Sequence, residues 1–376
     1  AREYPNNLNY RTLYAGALMK DGREDEAQAL LDSVIALQPS NVMAQRQLRM
    51  YYLMQQDSAR ADSLTRSLLL NPAVEQSDKV YILREEIAAS ERNGGDSTRI
   101  LALFREMDAM DKPDTDLMEY EAAYMNLKKM PQDSIENVLR MMLQIAPDKA
   151  AARLQLVQYA WEREDRQTVI DLCRQARQYN PDEMAFYYYQ GMSFFLEEKK
   201  DEALEAFRNG ISVITPESPP AIVSSFYEIL GDLLHQKGQW REAFEAYDSC
   251  LQWKEDNIGC LNNYAYYLSE MDMQLEKAEK MSFQTIKAEP KNATYIDTYA
   301  WILFKQKRYA EAEVYMRQAL QNDTTDSAVL KEHGGDIFIM NGNTEEALGM
   351  WQKALEADPS NKVLRRKIKK KKYIKQ

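Results

Sequence analysis

Residues 187–216 read YYYQGMSFFLEEKKDEALEAFRNGISVITP, and this stretch is one unit of a pattern that repeats along most of the chain. Large and small residues stand in it at fixed spacings, followed by a proline: Tyr187, Gly191, Phe194, Ala203, Phe207 and Pro216. We expect two helices here that cross closely at the small residues and interlock through the large ones.

Prolines mark the ends of the repeating units. They stand at Pro39, Pro72, Pro113, Pro147, Pro181, Pro216, Pro290 and Pro359. The first gaps are 33 to 41 residues and the last two are close to doubled, with Glu255 and Thr324 where the missing prolines would fall. A proline cannot continue the preceding helix and presets the turn into the next unit. A period near 35 residues indicates about ten units between residues 8 and 359.

A second break divides each unit into two helices. Short polar or glycine-containing turns fall near the middle of several units, at residues 21–22, 93–96, 237–239 and 341–343. Glycine and proline are otherwise scarce, with 13 and 12 copies in 376 residues, and strong helix formers dominate the composition. The sequence therefore predicts an all-α protein made of helical hairpins.

The same pattern recurs in three further units. Their matching residues are Tyr227, Gly231, Ala243 and Tyr247, then Ile296, Ala300, Ala312 and Met316, then Gly335, Phe338, Ala347 and Trp351. In this respect the chain resembles the tetratricopeptide repeat family. The resemblance implies a right-handed superhelical solenoid of about ten antiparallel helix pairs. It is weakest over residues 41–147.

The predicted organisation has four parts. Residues 1–215 form N-terminal repeats, 216–223 a longer connection, 224–359 C-terminal repeats, and 360–376 a basic terminal helix or tail. The connection is either a flexible joint between two arms or simply a longer loop.

A solenoid of this kind leaves a long concave surface on which a partner can bind. In the family the first helix of each pair lines that surface, which implies the following exposed groove positions: Tyr188, Met192, Phe195, Glu228, Asp232, His235, Asn262, Tyr266, Asp297, Trp301, Lys305, Glu332 and Asp336. Aromatic residues beside carboxylates suit a protein or peptide ligand with apolar anchors and basic or amide groups. Phe195 and Trp301 fit a place in the core equally well. Acidic chaperone tails are disfavoured, because the groove carboxylates would repel them.

Charge is distributed unevenly along the chain. The net charge is −11, but the last 15 residues contain nine Lys or Arg and no acid, which leaves −20 on the remainder. An acidic body disfavours a nucleic-acid partner, whose phosphates need neutralising. Seven of these nine bases form the predicted basic tail: Arg365, Arg366, Lys367, Lys369, Lys370, Lys371 and Lys372. We expect them to face water from a helix that caps the last repeat through Leu364 and Ile368, or to contact an anionic surface. Three anionic surfaces fit this description: the acidic body of the chain itself, another subunit, or a membrane. In the last case the membrane association would be peripheral.

The sequence offers no recognisable catalytic constellation. It has two histidines, 98 residues apart, and neither phosphate-loop nor metalloprotease nor nucleophile-elbow motifs. We therefore expect no enzyme, cofactor or metal, and the three cysteines do not suggest a disulfide framework. Adjacent acids such as Glu85 and Glu86 are expected to face solvent.

The favoured function is a scaffold or adaptor that binds a partner in its groove. Two alternatives remain, namely a structural subunit of a membrane-associated complex that docks through its convex face and basic tail, and a regulatory arm severed from an enzyme domain. The sequence is similar in style to bacterial envelope tetratricopeptide repeat lipoproteins, which implies assembly or secretion of envelope components. The expected location is the periplasm or the outer membrane through a lipid anchor, with the cytoplasm as the alternative. Since the chain begins Ala1-Arg2-Glu3, we expect a processed or trimmed N-terminus.

Overall fold

The computed structural model describes residues 7–375, and every regular element in that range is an α-helix. The expectation about a processed N-terminus at Ala1–Glu3 lies outside the described residues. The helices are α1 (Leu8–Lys20), α2 (Glu24–Leu37), α3 (Val42–Met54), α4 (Ser58–Leu70), α5 (Gln76–Arg92), α6 (Thr98–Asp108), α7 (Thr115–Leu127), α8 (Gln132–Ile145), α9 (Ala150–Glu162), α10 (Arg166–Tyr179), α11 (Met184–Leu196), α12 (Lys200–Ser212), α13 (Pro220–Gln236), α14 (Trp240–Trp253), α15 (Ile258–Glu270), α16 (Leu275–Ala288), α17 (Ala293–Lys305), α18 (Tyr309–Asn322), α19 (Ala328–Met340), α20 (Thr344–Ala357) and α21 (Lys362–Lys370).

Helices α1 to α20 follow one another as ten pairs, and α21 stands alone at the end. From α11 onward each pair packs on the next, and the first helices α13, α15, α17 and α19 also contact one another in series. The predicted all-α solenoid of about ten helix pairs is thereby confirmed.

Asparagine side chains cap the N-termini of several helices. The side chains of Asn41, Asn257, Asn292 and Asn361 each accept a hydrogen bond from a backbone N–H in the first turn of the following helix. Three of these asparagines stand two residues after a proline of the repeat. The proline ends one unit and the asparagine caps the next, so the boundary is defined twice.

The small residues of the repeat lie where two paired helices nearly touch. A Cβ atom added to Gly191 would lie 2.8 Å from the Phe207 ring, and one added to Gly335 would lie 2.4 Å from the Trp351 indole. Phe207 and Trp351 are fully buried. The large residue of the second helix thus fills the space that the missing side chain of the first helix leaves, as the spacing predicts.

Tight turns join the two helices of each pair. Gly22, Gly238 and Gly342 adopt positive φ at the end of the first helix. At Gly238 the following residue, Gln239, donates its N–H to the carbonyl of Leu234 at 2.9 Å, which closes the helix end.

The chain divides into two compact units, one up to Tyr159 and one from Ala160 onward. The division falls within α9 and not at the predicted connection. The connection between α12 and α13 spans residues 213–219, a few residues earlier than predicted. Helix α13 begins at Pro220, because proline fits the first turn of a helix without losing a hydrogen bond. Each unit has its own apolar core, built around residues such as Leu31 in the first and Phe226 in the second.

Candidate functional site

The second unit has a surface formed by its first helices, α11, α13, α15, α17 and α19. The ring of Tyr266 on α15 lies 6.2 Å from the ring of His333 on α19, although α17 stands between these helices. Side chains two repeats apart can approach this closely only where the surface curves inward. We call the surface between α11 and α19 the groove.

At the α11 end of the groove the predicted residues are partly buried. Tyr188, Met192 and Phe195 pack against the core of the second unit while keeping some exposure. Tyr188 contacts the rings of Phe207 and Phe226 at centroid distances of 6.4 and 5.8 Å. This end of the groove is apolar, because none of the three predicted residues is charged.

Two carboxylates follow on α13. Glu228 accepts a hydrogen bond from the Asn257 amide at 2.9 Å. Asp232 accepts one from the Tyr247 hydroxyl at 2.5 Å and one from the Asn263 amide at 3.2 Å. Burial raises the pKa of Asp232 to about 6, against the opposing effect of the Tyr247 hydrogen bond. Within residues 7–375 neither carboxylate forms an ion pair, so both are available to a cation from a partner.

His235 lies at the end of the same helix. Its imidazole stacks on the Tyr267 ring, with centroids 3.6 Å apart and planes 18° from parallel. Burial lowers the pKa of this histidine, although Glu270 opposes that shift. The imidazole is therefore a neutral, aromatic part of the groove at pH 7.

A stack of three rings forms the floor of the groove near α19. Trp301 lies between Phe304, with centroids 4.8 Å apart, and His333, with centroids 4.0 Å apart. The Nδ1 atom of His333 lies 3.0 Å from both carboxylate oxygens of Asp297. Burial lowers the pKa of His333, but Asp297, Asp336 and Glu270 together raise it, and the net pKa is above the usual value.

Five of the predicted groove positions are buried instead of exposed. They are Asn262, Asp297, Trp301, Glu332 and Asp336. The reason is contact between neighbouring repeats: Asp297 faces His333 on the next first helix, and the indole of Trp301 donates to Glu270 at 2.6 Å. The sequence-based expectation of exposure is therefore wrong for Asn262, Asp297, Glu332 and Asp336. Trp301, which fitted core and groove equally well, takes part in both.

The expectation that the basic tail faces water is wrong for one residue. Lys367 on α21 is 1% exposed, and its ammonium lies 2.7 Å from Glu332 and 2.7 Å from Asp336. Leu364 packs on Trp351, and the partly buried Ile368 lies against the same cluster, so α21 covers the last repeat as a cap. The remaining predicted tail bases are exposed: Arg365, Arg366, Lys369, Lys370, Lys371 and Lys372.

Beyond α21 the chain lies against the acidic body. The Tyr373 ring meets Phe304 edge to face at 5.2 Å. The ammonium of Lys375 lies 2.6 Å from Asp272, a carboxylate that Lys305 also approaches at 3.2 Å. A cavity of about 180 Å³ remains between this segment and the groove floor, lined by Tyr266, Trp301 and Lys305 among others. The tail therefore contacts one of the surfaces considered for it, the acidic body of the chain itself.

The first unit has a second concave feature, which the predicted groove positions did not include. It is a cleft of about 730 Å³ between α1, α3 and the start of α5, with Met19, Met43, Met50 and Met54 in its lining. The three methionines of α3 recur at helical spacing on its exposed side, and that spacing is the signal that would have revealed the cleft.

The acidic pair Glu85 and Glu86 is not simply solvent-facing. Glu86 is 4% exposed and accepts from Arg49, itself buried, at 2.6 Å. Arg49 also contacts Glu85 at 2.7 Å. The pair thus anchors α5 to α3, and this role is structural.

Residues 7–375 lack the marks of two other protein classes, metal-binding and membrane-spanning proteins. The described chain holds no cluster of three or more histidine, cysteine or carboxylate side chains suited to a metal ion. None of its helices combines the length and apolar character needed to cross a membrane. Cys173, Cys250 and Cys260 are buried free thiols.

Comparisons with known proteins agree with the repeat. Family models described as tetratricopeptide repeat match residues 154–219, and also 224–257 and 293–326. A tetratricopeptide repeat-containing protein of Pseudomonas aeruginosa is 33% identical over 66 residues, which amount to 18% of this chain and 11% of that relative.

Solved structures share the fold at low identity. A chain of the APC/C hetero-tetramer aligns with 98% of this chain and 84% of its own length, at 13% identity and a TM-score of 0.50. The pilF protein of Pseudomonas aeruginosa aligns with 59% of this chain and 97% of its own, at 15% identity and a TM-score of 0.48. The repeat spacing, the helix pairs and the matching family models together show that the chain contains tetratricopeptide repeats.

Proposed function

We propose that the chain is a non-enzymatic scaffold that holds an extended segment of a partner protein in the groove of its second unit. Tetratricopeptide repeats are protein–protein interaction modules, and a groove of this kind offers a long surface without a reaction centre. The observation that carries the proposal is the pair Glu228 and Asp232. Both are partly exposed, and neither has a cation among the described residues.

The chemistry of the groove defines the partner. Aromatic side chains line it from Tyr188 to Trp301, and carboxylates stand beside them on α13, α15 and α19. A segment that inserts aromatic or aliphatic anchors and places lysine or arginine near Glu228 and Asp232 would satisfy both. Nucleic acid and acidic tails would meet repulsion from the same carboxylates.

The test compares two double variants as bait in affinity capture. Glu228→Gln with Asp232→Asn removes two groove charges and keeps the size of both side chains. Glu205→Gln with Glu245→Gln is the matched control, because it removes two exposed charges from the second helices α12 and α14. We expect the groove variant to lose the partner that the parent and the control retain. Identical captured proteins from all three baits would contradict the proposal.

We further propose that the partner belongs to the assembly or secretion of a bacterial envelope, and that the chain acts in the periplasm or at the outer membrane. The resemblance to envelope tetratricopeptide repeat proteins supports this. Fractionation of native cells tests it, since recovery in the cytoplasmic fraction alone would contradict it.

A second candidate is a structural subunit that docks through its tail. Six exposed bases, Arg365, Arg366 and Lys369–Lys372, favour it, because together they form a positive patch on an otherwise acidic chain. Sedimentation with anionic vesicles tests this candidate: replacement of these six residues by glutamine should abolish binding without loss of partner capture.

A further inference from the structure

The C-terminal segment crosses the groove in the direction a ligand would take. Lys367 reaches α19, Tyr373 reaches α17, and Lys375 reaches the turn that follows α15. The chain thus passes over three successive first helices in order. A bound peptide that follows the groove has to make the same sequence of contacts.

Each contact beyond α21 matches a feature of the groove. Tyr373 sets its ring against Phe304, the outer ring of the Phe304–Trp301–His333 stack. Lys375 adds a positive charge at Asp272. A tyrosine therefore contacts the aromatic floor of the groove, and a lysine two residues further on contacts its acidic rim.

The two parts of the tail differ in how firmly they are held. Lys367 is buried with its carboxylate partners, and the helix that carries it caps the last repeat. Residues 373–375, in contrast, are outside any helix, and the side chain of Lys375 is 65% exposed. Exposed ion pairs contribute little to stability, so the segment can leave the groove while the cap stays in place.

We propose that the groove between α15 and α19 is a binding site for a partner segment that carries a tyrosine and a lysine two residues apart, and that Tyr373 and Lys375 occupy this site in the unbound chain. The proposal rests on the function proposed above and specifies the partner. A partner segment gains the same contacts as the tail and can reach further, to the uncompensated carboxylates of Glu228 and Asp232. Partner binding therefore displaces residues 373–375.

The probe is a fluorescent synthetic peptide with the sequence of residues 369–376, KKKKYIKQ. Its affinity is measured by anisotropy against the full chain and against the full chain with Tyr373→Ala and Lys375→Ala. We expect at least tenfold tighter binding to the double variant, because its groove is open. The matched control carries Lys370→Ala and Lys372→Ala, two exposed bases that form no ion pair in residues 7–375, and should bind as weakly as the parent.

Two further measurements make the outcome decisive. Lys375→Glu repels Asp272 without removing apolar contacts, so it should also open the groove, while the melting temperature shows that the cap is intact. A peptide with the same composition and a shuffled order should not bind the double variant. Equal affinity of the probe for the parent and for both opened variants would overturn the proposal. A parent dimer that Lys375→Glu dissociates would overturn it too, since the tail would then occupy the groove of a second copy.

The two proposals fail separately. If capture of the partner depends on Glu228 and Asp232 but the probe never binds an opened groove, the scaffold function stands and the tyrosine–lysine site is wrong. If the probe binds only the opened variants but capture of the partner does not depend on Glu228 and Asp232, the site stands and the proposed function is wrong.

Discussion

The ammonium of Lys367 lies 2.7 Å from the carboxylate of Asp336, and the two side chains are 1% and 2% exposed. An ion pair of this kind holds α21 on α19. Burial raises the pKa of Asp336 to about 6, although Lys367 lowers it in part. The last repeat is therefore closed by a buried charge as well as by the apolar contact of Leu364.

Replacing Lys367 by methionine should destabilise the second unit by about 3–5 kcal/mol, because Glu332 and Asp336 would keep buried charges without a cation. Denaturant unfolding followed by tryptophan fluorescence measures this, since every tryptophan lies at or after Trp161. The control Lys369→Met, at an exposed position, should change stability by less than about 0.5 kcal/mol. A loss of equal size in both variants would show that the buried pair has no special role.

Two glycines on one hairpin provide a packing test. Gly335→Ala should destabilise the protein by about 3 kcal/mol, because the new Cβ would lie 2.4 Å from the rigid, buried Trp351 indole. Gly349→Ala, in α20, has open space around it and should stabilise by about 0.5–1 kcal/mol through reduced chain entropy. Thermal unfolding of both variants decides the matter. Tolerance of alanine at 335 would contradict the close helix crossing.

The two histidines should titrate on opposite sides of the ordinary histidine pKa. The pKa of His333 is raised, because the surrounding carboxylates, Asp297 foremost, together outweigh burial, and the pKa of His235 is lowered, mainly by burial. The stability that His333 contributes is complete below its unfolded pKa and is lost as the pH rises through its folded pKa. The stability that His235 contributes is complete above its unfolded pKa and is lost as the pH falls through its folded pKa. NMR titration of the two imidazoles, assigned with His235→Gln, gives both values. Asp297→Asn should lower the pKa of His333 and leave that of His235 unchanged.

A buried carboxyl pair should make the first unit sensitive to alkaline pH. Burial and the adjacent carboxyl of Asp108 raise the pKa of Glu121 to about 8. A raised pKa means that the protonated form stabilises the fold, so this contribution is complete below about pH 4.5 and is lost as the pH rises through about 8. Hydrogen exchange of the α7 amides, corrected for the intrinsic rate, should accelerate between pH 6 and 9. Glu121→Gln, which carries no charge, should flatten that dependence. An unchanged pH profile in the variant would exclude Glu121 as the cause.

The sequence specified the repeat well because its signals are local. The prolines and the pairing of Gly191 with Phe207 act within about 35 residues, so periodicity reveals them. The state of the groove depends on contacts between repeats. That Asp297 would meet His333, or that Lys367 would turn inward, follows from how helices stack and not from either helix alone.

The boundary between the two compact units has no local sequence signal. It falls inside α9, a continuous helix that carries none of the proline or glycine signals of a linker. The sequence shows such signals at 216–223, and the structure has a non-helical connection nearby, at residues 213–219 between α12 and α13.

The first helices of the second unit are proposed to hold the partner. Hydrogen exchange of the chain, with and without the captured partner, is the decisive experiment, because the exchange rate is resolved helix by helix. We expect slower exchange in α13, α15, α17 and α19, together with faster exchange in residues 373–375 as the tail is displaced. Protection confined to the second helices α14, α16 and α18, with the tail unchanged, would contradict it.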